Sequence, residues 1–360
     1  MDRQEARALV ERCLPHFAAC GLPELDAASI TGVNSRSVAR LWGGMGNVYE
    51  ITISSKAAPD IAIMAKRIQL PRSCTSIGDK RKKDSYDVEA AFYSNGHAER
   101  LLRAGCGVAL PLLVESSRAD GLTICMTKLD GRPAGLDVPH MEAVLSWLAT
   151  LHATYWGPRA DAACSPGEEG GLQAQGCYWY LDTRPEEHAD MPDSGWEGRL
   201  KLAARAIDER LKADPLQTVC HGDAKSANII FARGLDGDGP RPLLYDFQYC
   251  GKAPATKDLA YIFNVASEDP RHEERFLQYY HKALSERLEA LGDMPPTMEA
   301  LRASLELSYA DLARFLVSFG FWGHDYIRKT ARTVLDRLDG GKKLRSEADY
   351  AEAVRREFPL

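Results

Sequence analysis

The sequence contains no apolar run approaching the about 18 residues that a membrane-spanning helix needs. The longest candidates, residues 61–65 and 312–322, are short or interrupted by charge, so no membrane partner is expected. It opens Met1-Asp2-Arg3-Gln4-Glu5, without the apolar core of a secretory leader. Basic residues are not in excess: 45 Lys and Arg stand against 51 Asp and Glu, a formal net charge of −6. Nucleic-acid binders carry a basic domain or stripe; this balance offers none, and no nucleic-acid partner is expected. The nine cysteines, at 13, 20, 74, 106, 125, 164, 177, 220 and 250, include no C-x-x-C pair. That excludes a zinc ribbon or a thioredoxin-type motif. An odd count without a framework fits a reducing, cytoplasmic setting, with buried thiols acting as small hydrophobes. There is no internal repeat and no sequence sign of an obligate protein partner. What remains is globular in composition, 45% hydrophobic and 27% charged. At about 100–200 residues per domain, 360 residues allow two or three domains.

The chain changes texture twice. Residues 2–20 predict a helix, with Leu9, Val10, Cys13, Leu14 and Phe17 on one face. Residues 36–70 are strand-like: 48–53 alternate, and 61–65 form a short apolar run. Residues 84–103 then predict a helix, and 110–115 and 122–129 two more strands. The first 130 residues therefore predict a sheet of about five strands with one helix after the third. The basic run Lys80-Arg81-Lys82-Lys83 reads as a solvated loop before that helix. After Asp130-Gly131-Arg132-Pro133 the chain becomes mainly helical, with helices over 138–155 and 199–212. Residues 157–195, rich in Gly, Pro and acids, predict an irregular excursion. Short strands at 228–231 and 243–247 flank a Gly-Asp-rich turn at 234–240. From 256 onwards the pattern is helical, with a break at Met294-Pro295-Pro296.

Chemistry concentrates in His221-Gly222-Asp223-Ala224-Lys225-Ser226-Ala227-Asn228, a loop opening onto a strand. Asp and Asn five residues apart can point at one place. The carboxylate of Asp223 can accept a hydroxyl proton, the amide oxygen of Asn228 can ligate Mg²⁺, and Lys225 can meet a phosphate. This is the spacing of the D-x-x-x-x-N loop of phosphoryl transfer. Eighteen residues on, Asp246 leaves an apolar strand as a second Mg²⁺ ligand, since Mg²⁺ takes one or two protein carboxylates plus substrate phosphates. Upstream, Gly43, Gly44, Gly46 and Asn47 lie between two strand-like runs, where backbone amides can cradle anionic oxygens. Lys66 ends an apolar strand, and Glu89, 23 residues later on the predicted helix, is its natural partner.

The order and wording of these motifs resemble the aminoglycoside phosphotransferase/choline kinase superfamily of small-molecule kinases. Four stretches carry the resemblance: Val88-Glu89-Ala90-Ala91-Phe92-Tyr93, Leu148-Ala149-Thr150-Leu151-His152-Ala153-Thr154-Tyr155-Trp156, residues 221–231 and residues 245–263. The Phe-Tyr after the helix Glu, the Leu-His-Ala with a following Trp, and Asp-Phe-Gln at 246–248 look most like its ecdysteroid-kinase-like branch. The resemblance spans roughly residues 36–325. It implies an α+β, two-lobed, protein-kinase-like fold: an antiparallel-sheet N-lobe over 1–130, a larger helical C-lobe over 131–360, and ATP in a cleft. By motif position it implies Asp223 as catalytic Asp, Asn228 and Asp246 as Mg²⁺ ligands, and Lys66 with Glu89 as the phosphate-positioning pair. The hinge that offers backbone groups to adenine would include Met126, Thr127 and Lys128. Lys225, within Asp223-Ala224-Lys225, departs from many relatives and reads like the D-x-K-x-x-N of protein kinases. His221 is expected to orient the loop, His152 to be a core histidine behind it, and Asp258 to anchor it.

Asp246 is followed within about ten residues by a helix, with no A-P-E anchor, which leaves no peptide platform. A small hydroxyl-bearing acceptor is the expected partner. The stretch around Tyr178-Trp179-Tyr180 holds six acids (Asp182, Glu186, Glu187, Asp190, Asp193, Glu197) against Arg184 alone. It can serve an amine-bearing acceptor or be a solvated acidic loop. Phe315, Phe319, Phe321 and Trp322 can line an apolar pocket or simply pack. The alternatives to an ATP- and Mg²⁺-dependent kinase are a non-catalytic nucleotide-binding relative and a hydrolase using His221 and Asp223 as metal ligands. Cys220 and Cys250 flank the motifs, so thiol reagents are expected to inhibit.

Overall fold

The computed structural model describes residues 1–69, 76–117, 121–232, 239–266 and 272–360. Cys74 and turn residues 234–238 lie outside them. The chain divides into two compact units: Met1–Leu102 with Val108–Asp130, and Arg103–Gly107 with Gly131–Leu360. Among the described residues no helix is long and apolar enough to cross a membrane.

The first unit begins with α1 (Arg3–Cys13), whose N-terminal amides are capped by the Asp2 carboxylate while Glu5 returns a bond to the Asp2 amide. The helix expected over 2–20 stops at Cys13, because Pro15 has no N–H to continue the ladder. Two 3₁₀ turns carry the chain to Cys20. Strands β1 (Ile30–Arg40), β2 (Gly46–Ser55) and β3 (Ile61–Ile68) follow, then α2 (Ile77–Ser94), α3 (His97–Arg103), β4 (Pro111–Ser117) and β5 (Gly121–Thr127). The sheet is antiparallel in the order β1-β2-β3-β5-β4, so β3 is central. Alternation puts Ile61, Ile63 and Ala65 with Ile51 and Ile53 in one core with Leu9, Val10, Cys13 and Phe17. Each buried Ile, Leu, Val or Phe among them contributes about 1.5–3 kcal/mol. Lys66, next in β3, therefore projects from the opposite face.

Helix α2 starts seven residues before the expected 84, because the Ser76 hydroxyl caps it by accepting from the Asp79 amide at 3.0 Å. The basic run 80–83 thus sits within the helix rather than in a loop before it. Lys83 pairs with Asp87 one turn on, and the Lys82 ammonium lies 5.8 Å from the centre of the Trp42 ring. Asn95-Gly96 breaks the predicted single helix into α2 and α3.

The second unit contains β6 (Gly131–Arg132), α4 (Val138–Thr154), α5 (Pro158–Cys164), α6 (Pro185–Ala189), α7 (Gly195–Lys212), β7 (Gln217–Cys220), β8 (Ile229–Ala232), β9 (Pro242–Leu244) and β10 (Gly251–Pro254). Five further helices complete it: α8 (Thr256–Ala266), α9 (Glu273–Ala290), α10 (Met298–Phe319), α11 (Tyr326–Asp339) and α12 (Glu347–Glu357). Helix α4 packs on α9, while α10 packs on α7, α8 and α11. The buried faces bring together Leu148, Leu151, Phe263, Phe276, Tyr280, Leu312 and Phe315. Small sheets β6-β8-β9 and β10-β7 frame the 221–228 loop. The excursion after α4 is more ordered than its composition predicts. It is tied to the segment before and in β10 by Gln173 N–H to Cys250 O (3.0 Å), Gly176 N–H to Lys252 O (2.8 Å) and Cys177 N–H to Tyr249 O (3.1 Å). The α+β fold of the resemblance is what the chain forms, a smaller antiparallel-sheet unit and a larger, mainly helical one.

Candidate active site

In the second unit, β7 delivers the chain into the 221–225 loop, and a 3₁₀ turn at Ser226–Asn228 leads into β8. Gly222 has φ +79°, and a Cβ there would lie 2.2 Å from the Tyr249 carbonyl oxygen, so only glycine fits. The loop is held from below by Asp258 in the first turn of α8. Its Oδ2 accepts the His221 amide at 2.7 Å and its Oδ1 the Gly222 amide at 2.9 Å. His152 Nε2 meets Oδ2 at 3.2 Å, and its Nδ1 meets the Tyr280 hydroxyl at 2.7 Å. Burial alone would raise the Asp258 carboxyl, but the His152 bond, the two histidines and the Gly222 amide hold it below the ordinary range.

Burial pushes His221 down, which keeps its ring neutral. Nε2 donates to the Tyr245 carbonyl at 3.2 Å and Nδ1 accepts from the Asp223 amide at 3.4 Å. With both ring nitrogens spent on backbone, a metal-ligand role for His221 has no support. His152, Cys220 and Asp258 offer ligand atoms within 4.8 Å of one another. Asp258 and His152 are already bonded as described, however, and the trio is a buried bracket for the loop.

Asp223 is only 4% exposed. Its Oδ2 accepts from Lys225 Nζ at 2.9 Å and Asn228 Nδ2 at 3.0 Å; its Oδ1 accepts from the Tyr261 hydroxyl at 2.9 Å. Burial raises its carboxyl above the usual range, Lys225 opposes this, and the nearby Asp246 carboxylate adds to it. The Asn228 nitrogen is spent on Asp223, and its Oδ1 accepts no hydrogen bond among the described residues. Asp246 leaves β9 with φ +69°, a left-handed conformation that Asp tolerates better than most residues. Tyr245 before it is locked to the other loop, its amide donating to Asn228 O at 3.2 Å and its hydroxyl to Ala227 O at 2.6 Å. Gln248 donates to Asp246 Oδ1. Asn228 and Asp246 thus offer the hard oxygen donors that suit Mg²⁺.

In the first unit, Lys66 Nζ meets Glu89 Oε2 at 2.5 Å, and both side chains are buried. The ammonium also lies 5.5 Å from the centre of the Tyr86 ring. Lys66 is flanked across the sheet by Val48 and Ile124, which fixes its backbone on both sides. Gly43 and Gly44 lie in the turn between β1 and β2, and Asn47 pairs with Arg40 and Arg67. Gly46 has a structural reason of its own. Its φ is +132°, and a Cβ would lie 2.0 Å from the Arg67 carbonyl oxygen. Met126 and Thr127 end β5. The Thr127 amide is taken by Leu110 O at 2.9 Å, and Lys128 pairs with Glu50 at 3.2 Å.

Sequence reasoning named Tyr178, Phe315 and Trp322 as candidate pocket aromatics but passed over Tyr261 and Tyr249, which join them in one cluster. Tyr178 approaches Tyr249 (5.4 Å between centroids), Tyr261 (5.8 Å) and Phe315 (5.5 Å), and Trp322 meets Tyr261 edge-on at 5.6 Å. A signal was present: Tyr261 is three residues after Asp258, on the same helix face. The acid-rich stretch is partly neutralised, from within and from α7. Asp182 pairs with Lys212, Glu187 with Arg184 and Asp193 with Lys201. Cys220 and Cys250 are fully buried and their thiols pushed well above the ordinary range by that burial, so the expected sensitivity to thiol reagents is withdrawn. A cavity of about 370 Å³ bordered by α7 and β10 is lined by Asp208, Lys212, Lys252 and Lys257, and its lining includes none of Asp223, Asn228 and Asp246.

No curated protein matches the chain. Among solved structures, the chain is similar to an ethanolamine kinase of Plasmodium vivax at 14% identity, over 86% of this chain and 83% of that one, with a TM-score of 0.47. It is similar to a choline kinase of Streptococcus pneumoniae at 13% identity, over 85% and 92%, with a TM-score of 0.46. A choline/ethanolamine kinase family protein of Mesorhizobium loti aligns at 15% identity, over 98% and 99%, with a TM-score of 0.45. Residues 199–293 match the model of the ecdysteroid kinase-like family. That segment holds the 221–228 loop, Asp246, Asp258 and Tyr261, and over it the chain is ecdysteroid kinase-like in sequence, as its motifs suggest.

Proposed function

We propose that this protein is a small-molecule kinase that transfers the γ-phosphoryl group of ATP to an acceptor hydroxyl. The observation that carries this is Asp223: a buried carboxylate, more basic than usual, beside the paired oxygen donors Asn228 and Asp246. Asp223 orients the acceptor hydroxyl. As that oxygen bonds to the γ-phosphorus, its proton passes to the Asp223 carboxylate, the bond to the ADP oxygen breaks, and ADP leaves. Asn228 Oδ1 and the Asp246 carboxylate would hold Mg²⁺, which when bound offsets the charge of the phosphate oxygens. Lys66, fixed by Glu89, meets the α- and β-phosphates, and Lys225 offsets charge on the transferring group. Gly43, Gly44, Gly46 and Asn47 supply the turn that approaches the phosphates. Residues 126–128 offer adenine backbone groups other than the Thr127 N–H. Positioning and electrostatics supply the rate enhancement.

The rings of Tyr178, Tyr249 and Trp322 near Tyr261, with acids at 182, 187 and 193 already paired, favour an acceptor with an apolar body beside its hydroxyl. The test is ADP release from Mg·ATP, and separately phosphate-donor turnover with Mg·GTP, across ethanolamine, kanamycin, glucose and ecdysone. Turnover with one of them, abolished by Asp223→Asn while ATP still binds, is expected. Undiminished turnover by Asp223→Asn overturns the assignment. A thermal shift with Mg·ATP but no transfer to any acceptor, water included, would favour the non-catalytic reading. At 100 times Kd the nucleotide should stabilise by about 2.7 kcal/mol.

A further inference from the structure

The two oxygens of Asp223 are not equivalent. A carboxylate oxygen has two acceptor sites. Both sites of Oδ2 are taken, by Lys225 Nζ at 2.9 Å and Asn228 Nδ2 at 3.0 Å. Oδ1 receives one bond, from the Tyr261 hydroxyl at 2.9 Å. We infer that Tyr261 is a positioning residue that fixes Asp223 so that Oδ1, through its remaining site, is the oxygen that takes the acceptor proton; this rests on the kinase reading above.

Tyr261 is itself fixed. It is 3% exposed, and burial together with the Asp223 charge keeps its hydroxyl protonated. The proposed transfer uses Asp223 as a carboxylate, which has no proton to give, so in that state Tyr261 donates to it. The second contact of the phenol, to the Tyr178 hydroxyl at 3.1 Å, is therefore donated by Tyr178. The chain of hydroxyls has one direction, Tyr178 to Tyr261 to Oδ1. Tyr178 is braced by the Tyr249 and Phe315 rings and by Arg184, whose Nε donates to the Tyr178 carbonyl at 2.8 Å. On the other side, Asn264, one turn along α8 from Tyr261, accepts the His324 amide at 3.0 Å and donates to Trp322 O at 3.4 Å. That holds the Trp322 ring edge-on to Tyr261 at 5.6 Å. A phenylalanine at 261 retains the ring and removes its hydroxyl, and with it both the donor to Oδ1 and the acceptor for the Tyr178 hydroxyl.

The test compares wild type, Tyr261→Phe, Tyr178→Phe and the double variant by ADP formation from Mg·ATP, with water as acceptor and with whichever of ethanolamine, kanamycin, glucose and ecdysone turns over fastest. Tyr261→Phe should lower kcat about tenfold or more, since a hydrogen bond to a charged group is lost. KM for ATP and the melting temperature should stay near wild type. Tyr178→Phe should cost less, about two- to threefold, and nothing further once Tyr261 is Phe, because its proton acts only through that hydroxyl. An active wild type with kcat of Tyr261→Phe within twofold of it overturns the inference alone. So does a loss in which KM for ATP and thermal stability move with kcat, or fully additive losses in the double variant. A wild type that forms no ADP with any of these acceptors overturns the kinase reading and this inference with it.

Discussion

Asp258 grips His221 by its backbone and not by its ring. Oδ2 takes the His221 amide at 2.7 Å while Oδ1 takes the next amide, Gly222, at 2.9 Å. One side chain, fully buried on α8, thereby fixes two successive peptide units ahead of Asp223. Such an arrangement presets the loop before any ligand arrives, which is what positioning catalysis requires.

Asp258→Asn should therefore be costly although it is nearly isosteric. One acceptor becomes a donor facing a backbone N–H, leaving a buried clash of donors worth about 2–3 kcal/mol. The expected result is a melting temperature lower by several degrees, with transfer impaired alongside. Differential scanning calorimetry of the variant checks this, and an unchanged melting point would contradict the bracket role.

The same bracket sets a pH dependence whose sign can be worked out. Asp258 is a stronger acid folded than unfolded, where its value is about 3.9. Its contribution is full above the unfolded value and is lost as pH falls through the folded one. His221 also has a lowered folded value. The unfolded chain takes up that proton first, so stability from this group falls as pH drops below about 6.5. In urea titrations the stability gap between wild type and His221→Gln should shrink as pH goes from about 7 to 5. A gap that widens would reverse the assignment of a neutral His221.

Lys66 and Glu89 form a buried pair, so removing one partner and removing both should differ in kind. Lys66→Met leaves a buried carboxylate without its lysine and should cost about 3–5 kcal/mol. The double variant Lys66→Met/Glu89→Leu should regain most of that stability and none of the phosphotransfer. Urea midpoints and ADP release, measured on the same samples, separate the two quantities.

Iodoacetamide at neutral pH should leave Cys220 and Cys250 unlabelled in the folded protein, because only a thiolate reacts and burial disfavours it. Peptide mapping after native and denatured labelling reads this directly. Rapid native labelling of either would mean that the loop region opens far more readily than its burial allows.

The site motifs were legible because each is local: Asp223 with Asn228, or Asp246 at a strand end, is a short-range pattern with its own chemistry. The five-stranded sheet was legible from period-two alternation over 48–53 and the apolar run at 61–65. The Tyr261–Asp223 bond joins positions 38 residues apart and depends on how α8 packs, which no local pattern encodes. Strands β7 and β10, at four residues each, are too short to show a period. The acid-rich excursion read as a charged loop because Lys201 and Lys212, which pair with Asp193 and Asp182, lie on α7. Gly46 read as a phosphate-loop glycine, and its second requirement, the close approach of the Arg67 carbonyl, depends on strand pairing that no local pattern encodes.

The left-handed backbone at Asp246 (φ +69°) restricts what drift can do at that position. Asn and Gly share Asp's tolerance for this conformation, whereas a Glu keeps the charge but strains the turn. A descendant of this chain released from selection at 246 should thus accumulate Asn or Gly there well before Glu, Ala or Val. The residue found at this one position in a lineage would then report whether the carboxylate is still under selection, with the turn itself unchanged.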